Sequence, residues 1–135
     1  MNSLFRVSER NHFGLIFMTQ LAKLPEGSFL SVKEAAEDMK MPLGYLEEIA
    51  GLLKTAELIQ GRQGPGGGYK LAKPAQEMTA QEIVEALEGP VALVACFDGG
   101  CPVEGKCHSK KLWGFLQKNI LQTLGNTKLS VIASE

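Results

Sequence analysis

Apolar positions in the first part of the chain recur every three or four residues. Phe13, Ile16, Phe17, Leu21 and Leu24, with Gln20 among them, line one face of a helix from about Glu9 to Leu24, closed by Pro25-Glu-Gly27. Ser31-Val-Lys-Glu34 has the form of a capping box, in which the Ser31 hydroxyl accepts the N–H three residues on and Glu34 reaches back. It predicts a short helix ending near Met39. Pro42 is placed in the first turn of a third helix, where its missing N–H costs nothing. Leu43, Leu46, Ile49, Ala50, Leu52 and Leu53 form the apolar side of that helix, to about Thr55. Two β-prone runs, Leu58–Arg62 and Tyr69–Leu71, then surround the turn Gln63-Gly-Pro-Gly-Gly-Gly68 and read as a hairpin. Thr79-Ala-Gln-Glu82 is a second capping box, starting a helix through Ile83, Val84 and Leu87 that stops at Gly89-Pro90. A short apolar connector, Val91–Ala95, leads to a long helix from Ser109 to about Leu124. Leu112, Leu116, Ile120 and Leu124 fall at every fourth position there, flanked by Trp113 and Leu121. Asn126-Thr127 is set to cap a last short segment, Lys128–Ser134.

This order predicts a mainly α fold with a small β-hairpin. Two short helices about a tight Lys40-Met41 turn, after a longer first helix, make a helix-turn-helix unit, and the hairpin that follows makes it a winged helix. The stripe on the long helix is wider than one small winged helix has to cover, so that element reads as a C-terminal dimerisation helix. The chain then divides into a winged helix-turn-helix at 1–89, a cysteine-rich loop at 90–108 and a dimerisation helix at 109–135, forming one continuous unit.

Composition adds limits. A chain of 135 residues, 44% hydrophobic and 21% charged, is one soluble domain with room for a real core. No apolar run reaches the roughly 18 residues needed to cross a bilayer, so no membrane partner is expected. The start, Met-Asn-Ser-Leu-Phe-Arg, lacks the apolar stretch of a secretory signal; with an odd number of cysteines this points to a reducing cytoplasm. A net charge of −1 does not by itself announce a nucleic-acid binder. The glycine run is followed by a strand and lacks the Lys-Ser/Thr of a phosphate-binding loop, which argues against a nucleotide site. Neither paired carboxylates nor a Ser/His/Asp set stands out, so an enzyme is not expected.

The chemistry is concentrated in Cys-Phe-Asp-Gly-Gly-Cys-Pro-Val-Glu-Gly-Lys-Cys-His, residues 96–108. All three cysteines, Cys96, Cys101 and Cys107, lie in this Gly- and Pro-rich loop, which can fold its thiolates toward one point. Clustered thiolates hold zinc, copper(I) or iron–sulfur, and three of them leave a fourth ligand to be supplied from elsewhere. Buried free cysteines, or one disulfide with a thiol left over, are the plainer alternatives.

Taken together, Tyr45-Leu46-Glu47 in the third helix, the Gly64–Leu71 wing, Leu87-Glu-Gly-Pro90 and the three cysteines resemble the IscR/NsrR group of bacterial transcription regulators (the Rrf-two family), over about Arg6 to Val131. The resemblance implies a homodimer that binds palindromic double-stranded operator DNA. It also implies an iron–sulfur cluster on Cys96, Cys101 and Cys107, with 2Fe–2S preferred to 4Fe–4S, whose state controls that binding. Base reading then falls to the exposed start of the third helix, Pro42, Gly44, Tyr45 and Glu47. Phosphate contacts fall to Lys40, Lys54, Arg62, Lys70 and Lys73, with Gln63, Gly66 and Gly67 in the wing. Two departures stand out. Family members commonly carry Arg where this chain has Gln63, and IscR-type proteins have His where it has Lys110. His12 occupies the position at which the NsrR branch has an aspartate that ligates the other subunit's cluster. His12 of the partner is therefore the expected fourth ligand, with His108 as the alternative and a surface histidine as the plain reading. A cluster-free repressor, using the cysteines as a thiol switch or a structural zinc site, is the competing function.

Overall fold

The computed structural model of the chain describes residues 6–93 and 109–134. In chain order the elements are α1 (Glu9–Ala22), α2 (Val32–Met39), α3 (Leu43–Thr55), β1 (Ile59–Arg62), β2 (Gly68–Leu71), a 3-10 turn (Ala75–Glu77), α4 (Ala80–Glu88), α5 (Ser109–Asn126) and α6 (Leu129–Ala133). The mainly helical fold with one hairpin is thus as expected from the sequence.

Each helix start has a local cause. Ser8 caps α1 by accepting from the Asn11 amide at 3.1 Å. Thr79 and Glu82 form the complete capping box at α4: the Glu82 amide donates to Thr79 Oγ1 at 3.2 Å and the Thr79 amide to Glu82 at 3.1 Å. At α2 the first half is present, the Glu34 amide donating to Ser31 Oγ at 3.0 Å. Pro42 is the N-cap of α3 rather than a residue of its first turn; its extended backbone (ψ 135°) places it just outside the helix. The segment after α5 also differs from expectation. Asn126 is still helical, Thr127 donates back to the Thr123 carbonyl at 2.7 Å, and Lys128 takes the N-cap position of α6.

Both helices of the helix-turn-helix end alike. After α3, the Glu57 amide donates to the Lys54 carbonyl (2.9 Å) and the Leu58 amide to the Leu53 carbonyl (3.0 Å), with Leu53 and Leu58 both buried. After α2 the same pair runs from Lys40 to Glu37 (3.2 Å) and from Met41 to Ala36 (3.1 Å). This is the Schellman arrangement, which puts one residue in the left-handed region and favours glycine there. Lys40 (φ 53°) and Glu57 (φ 63°) hold those positions instead. A left-handed side chain costs on the order of 1–2 kcal/mol, partly offset because glycine loses more backbone freedom on folding. Glu57→Gly is therefore expected to stabilise the fold by roughly 0.5–1 kcal/mol. Urea unfolding midpoints check this, and a destabilised variant would contradict it.

The core is built around α1, which touches α3, α4, α6 and β2. Phe17, Met18, Leu46, Ile49, Leu53, Met78, Ile83 and Leu129 are fully enclosed. The buried stripe of α1 runs through Phe17, Met18 and Leu21, while Phe13 and Leu24 lie at its margins and α1 itself stops at Ala22. The C-terminal segment is tied in by backbone bonds: the Leu129 amide donates to the Met78 carbonyl (2.8 Å) and the Ala80 amide to the Thr127 carbonyl (2.9 Å). α5 buries none of its residues within the chain, and Leu112 (59% exposed) and Phe115 (67%) stand out from it one turn apart.

Candidate nucleic-acid interface and the residues around the cysteine loop

The helix-turn-helix presents one side of α3. Leu46, Ile49, Ala50 and Leu53 anchor the helix in the core, which turns Pro42, Leu43, Gly44, Glu47, Glu48, Gly51 and Lys54 outward. Of the four residues expected to read bases, Pro42, Gly44 and Glu47 are exposed. Tyr45 is partly buried and packs against the core. Gly44 and Gly51 are two turns apart on the outer side, and a Cβ on either would meet nothing within 4 Å. Glycine inside a helix costs roughly 0.5–1 kcal/mol against alanine. No contact within the described chain explains that cost. Gly51 was not among the residues singled out from the sequence, because a glycine inside an apolar periodic run carries no signal of its own.

The wing is an antiparallel pair with Ile59 opposite Leu71, Gln60 opposite Lys70, Gly61 opposite Tyr69 and Arg62 opposite Gly68. Alternation sends Ile59, Tyr69 and Leu71 inward and Gln60, Arg62 and Lys70 outward. Leu30 adds a third partner at the edge, exchanging bonds with Tyr69 at 2.9 and 2.8 Å. That approach depends on Gly68, where a Cβ would lie 2.2 Å from the Leu30 carbonyl oxygen. At the tip, a Cβ on Gly67 would lie 2.2 Å from the Arg62 carbonyl oxygen, so the turn closes only around a residue without a side chain. Gln63 and Gly66 are exposed on the same tip.

The expected phosphate contacts are not equivalent. Lys40, Lys54 and Arg62 are exposed and Lys70 is partly covered. Lys73 is drawn into an ion pair with Glu82 at 3.1 Å, beside the α4 capping box. Arg62 and Lys70 both lie over the Phe29 ring, 4.9 and 5.2 Å from its centre. Phe29 escaped the sequence reading because it stands alone between Gly27 and the Ser31 cap, outside any periodic stretch.

A second cluster joins the start of α1 to its neighbours. Arg10 donates to the Leu87 carbonyl at 3.3 Å, pairs with Glu88 at 3.8 Å and reaches Glu48 on α3 at 3.5 Å. Ser8 donates to Glu88 as well. One guanidinium thus touches the outer side of α3 and the last residues of α4, ahead of the cysteine segment. His12 is exposed on the first turn of α1, against Phe13 with ring centres 5.4 Å apart. Cys96, Cys101, Cys107 and His108 lie outside the described residues. Among the described residues, no three His, Cys, Asp or Glu side chains come together as a metal site. No helix among them is long and apolar enough to cross a membrane.

Similarity to known proteins bears on this arrangement. The family model described as Rrf2, iron-dependent transcriptional regulator, matches residues 7–135. The transcriptional regulator IscR of Cereibacter sphaeroides is 30% identical over 133 residues, covering 94% of this chain and 86% of that protein. The structure of CymR, described as the global cysteine regulator of B. subtilis, superposes with a TM-score of 0.81 at 28% identity, over 96% of this chain and 97% of that one. The oxidized form of Staphylococcus aureus CymR gives a TM-score of 0.77 at 31% identity, over 97% and 98%. These relatives are transcriptional regulators with the same winged helix, and the matched span leaves almost nothing of the chain outside it. The chain therefore belongs to the Rrf2 family and is a DNA-binding transcription regulator, not an enzyme.

Proposed function

We propose that the chain acts in the cytoplasm as a homodimeric regulator, and that a cluster on the cysteine loop controls its grip on operator DNA. The observation that carries the DNA half is α3, anchored by one side in the core while Pro42, Gly44 and Glu47 face outward. Two such helices related by a dimer axis would enter successive major grooves of a palindromic site. Glu47 is placed to accept from a cytosine amine, and Lys40, Lys54, Arg62 and Lys70 to meet phosphates, with the backbone of Gln63, Gly66 and Gly67 beside them. The exposed Leu112 and Phe115 of α5 supply the apolar surface for the second copy.

The donor set suits an iron–sulfur cluster: three thiolates, Cys96, Cys101 and Cys107, with an imidazole as fourth ligand. That imidazole is assigned to the partner subunit's His12, because His12 is exposed on the first turn of α1. A bound cluster, 2Fe–2S in this reading, would supply a link sensitive to redox state and cluster supply. The chain's own residues would do the rest. Arg10 connects the end of α4 to Glu48, so a restraint at the cysteine segment or at α1 would bias the setting of α3. A switch needs an element with two states, one of them favoured by a ligand, and in this reading the Arg10 link is the part that would change.

A second reading has support of its own. A CymR similar to this chain is described in an oxidized form, which is compatible with a thiol switch on cysteines, and zinc would also accept this ligand set. Absorption of anaerobically purified protein, with iron and sulfide assayed on the same sample, separates these. Visible bands with stoichiometric sulfide are expected. His12→Ala should shift the bands and shorten the cluster's lifetime in air, since it removes a direct ligand. Unchanged bands and lifetime in that variant would remove His12 as a ligand. A sample that stays colourless after reconstitution would leave the thiol or zinc switch.

A further inference from the structure

We propose that Phe29 is a positioning residue for DNA binding, its ring gathering Arg62 and Lys70 into one preset cationic patch on the outer side of the wing. The proposal rests on the reading of the wing as a DNA contact and names what prepares it.

The placement follows from the ladder. Leu30 pairs with Tyr69 and both pack against the core, so alternation turns Phe29 to the opposite side, where Lys70 and Arg62 project. Arg62, opposite Gly68 in the ladder, reaches the ring with its guanidinium carbon 4.9 Å from the ring centre. Its Nη2 also lies 3.8 Å from where a Cβ on Gly66 would stand, so the guanidinium runs along the wing toward the tip. Phe29 is partly buried yet stands apart from the core cluster and from the side chains packed against it. Among the described residues, packing against the core therefore does not explain an aromatic residue here.

Charge does. The electron-rich face of a phenyl ring attracts a cation within about 6 Å of its centre, and here it has two. Arg62 and Lys70 repel each other; the ring offsets that repulsion in the free protein, and an anion that meets both relieves it further. A phosphate backbone is such an anion. Long cationic side chains otherwise lose rotamer freedom when they are immobilised at an interface. Held on the ring beforehand, they lose less. Arg62 lies one step before the exposed Gln63 of the tip, and the ring gives that cation a defined direction.

The test uses the intact protein and a labelled duplex selected on it from a random-sequence pool. Replacing Phe29 by phenylalanines carrying one, two and three fluorines keeps the ring's shape while draining its face. Affinity for the selected duplex is expected to fall stepwise along the series. Phe29→Leu should bind roughly three- to tenfold more weakly, while Phe29→Tyr and Phe29→Trp should stay within about twofold. Arg62→Gln should cost less in the Phe29→Leu background than in the wild type, since part of its contribution is already gone. A flat fluorine series, or an Arg62→Gln effect of equal size in both backgrounds, overturns the proposal while leaving DNA binding intact. A selection that enriches no duplex on the wild type overturns the reading of the wing itself, and the role of Phe29 with it.

Discussion

On the proposed pairing through α5, Phe115→Glu is expected to run as a monomer in size-exclusion chromatography with light scattering, at concentrations where the wild type is expected to run as a dimer. Phe115 is 67% exposed within the chain, so the substitution should leave the fold within about 0.5 kcal/mol of the wild type. Its effect falls on association. Fully burying a phenylalanine is worth about 1.5–3 kcal/mol, and a twofold interface contains it once per chain. Two lost side chains, plus two carboxylates brought into an apolar contact, should weaken the dimer by roughly a thousandfold or more. Operator affinity should fall with it. Two linked half-site contacts gain about 10²–10⁴ over one, and a monomer keeps only one. Circular dichroism should show an unchanged helical signal, which separates loss of pairing from loss of fold. A variant that remains dimeric would place the interface somewhere other than the exposed side of α5.

Gly68→Ala should be the most damaging small substitution in the wing. The added Cβ would lie 2.2 Å from the Leu30 oxygen, 2.5 Å from the Leu30 carbonyl carbon and 2.8 Å from the Ser31 nitrogen. All three are backbone atoms, so no side chain can swing aside. Residue 68 also has φ 141°, a conformation side chains rarely adopt. Relief requires the Leu30 segment to move off β2, giving up the two bonds between Leu30 and Tyr69. Two hydrogen bonds at about 1 kcal/mol each, with backbone strain of about 1–3 kcal/mol, come to roughly 3–5 kcal/mol. Against a typical stability of about 5–15 kcal/mol that is severe. Ser31 caps α2, so the displacement reaches the helix-turn-helix as well, and DNA binding should fall further than with Arg62→Gln alone. Urea unfolding beside operator titration checks both halves. A loss of stability below about 1 kcal/mol would mean that the edge contact yields cheaply.

Much of this architecture was legible beforehand because its causes are local. Thr79 and Glu82 are three residues apart and close their box without help from the rest of the chain. The hairpin follows from two β-prone runs about a glycine turn, and the Lys40-Met41 turn from the end of one amphipathic run and the start of the next. The outward side of α3 was readable too, since its inner side is the apolar one. Where expectation and structure parted, the signal was ambiguous or distant. The run from Phe13 to Met18 is nearly all apolar, so periodicity does not single out Met18, which becomes fully buried because α1 meets neighbours on several sides. Lys73 carries the same charge as Lys70, and only the placement of Glu82 diverts it.

What the sequence by itself determined is therefore the set of elements and the winged helix that they form. Each is written in spacings of a few residues, where backbone geometry alone decides which side chains meet. Tertiary structure alone decided that Arg10 links the ends of α1 and α4 to α3, across 77 positions of chain in the case of Leu87. It also decided that Phe29 carries two cations and that Leu129 closes the core against Met78. Such pairings join segments with no common period. They exist only once burial of α1 has brought those segments together.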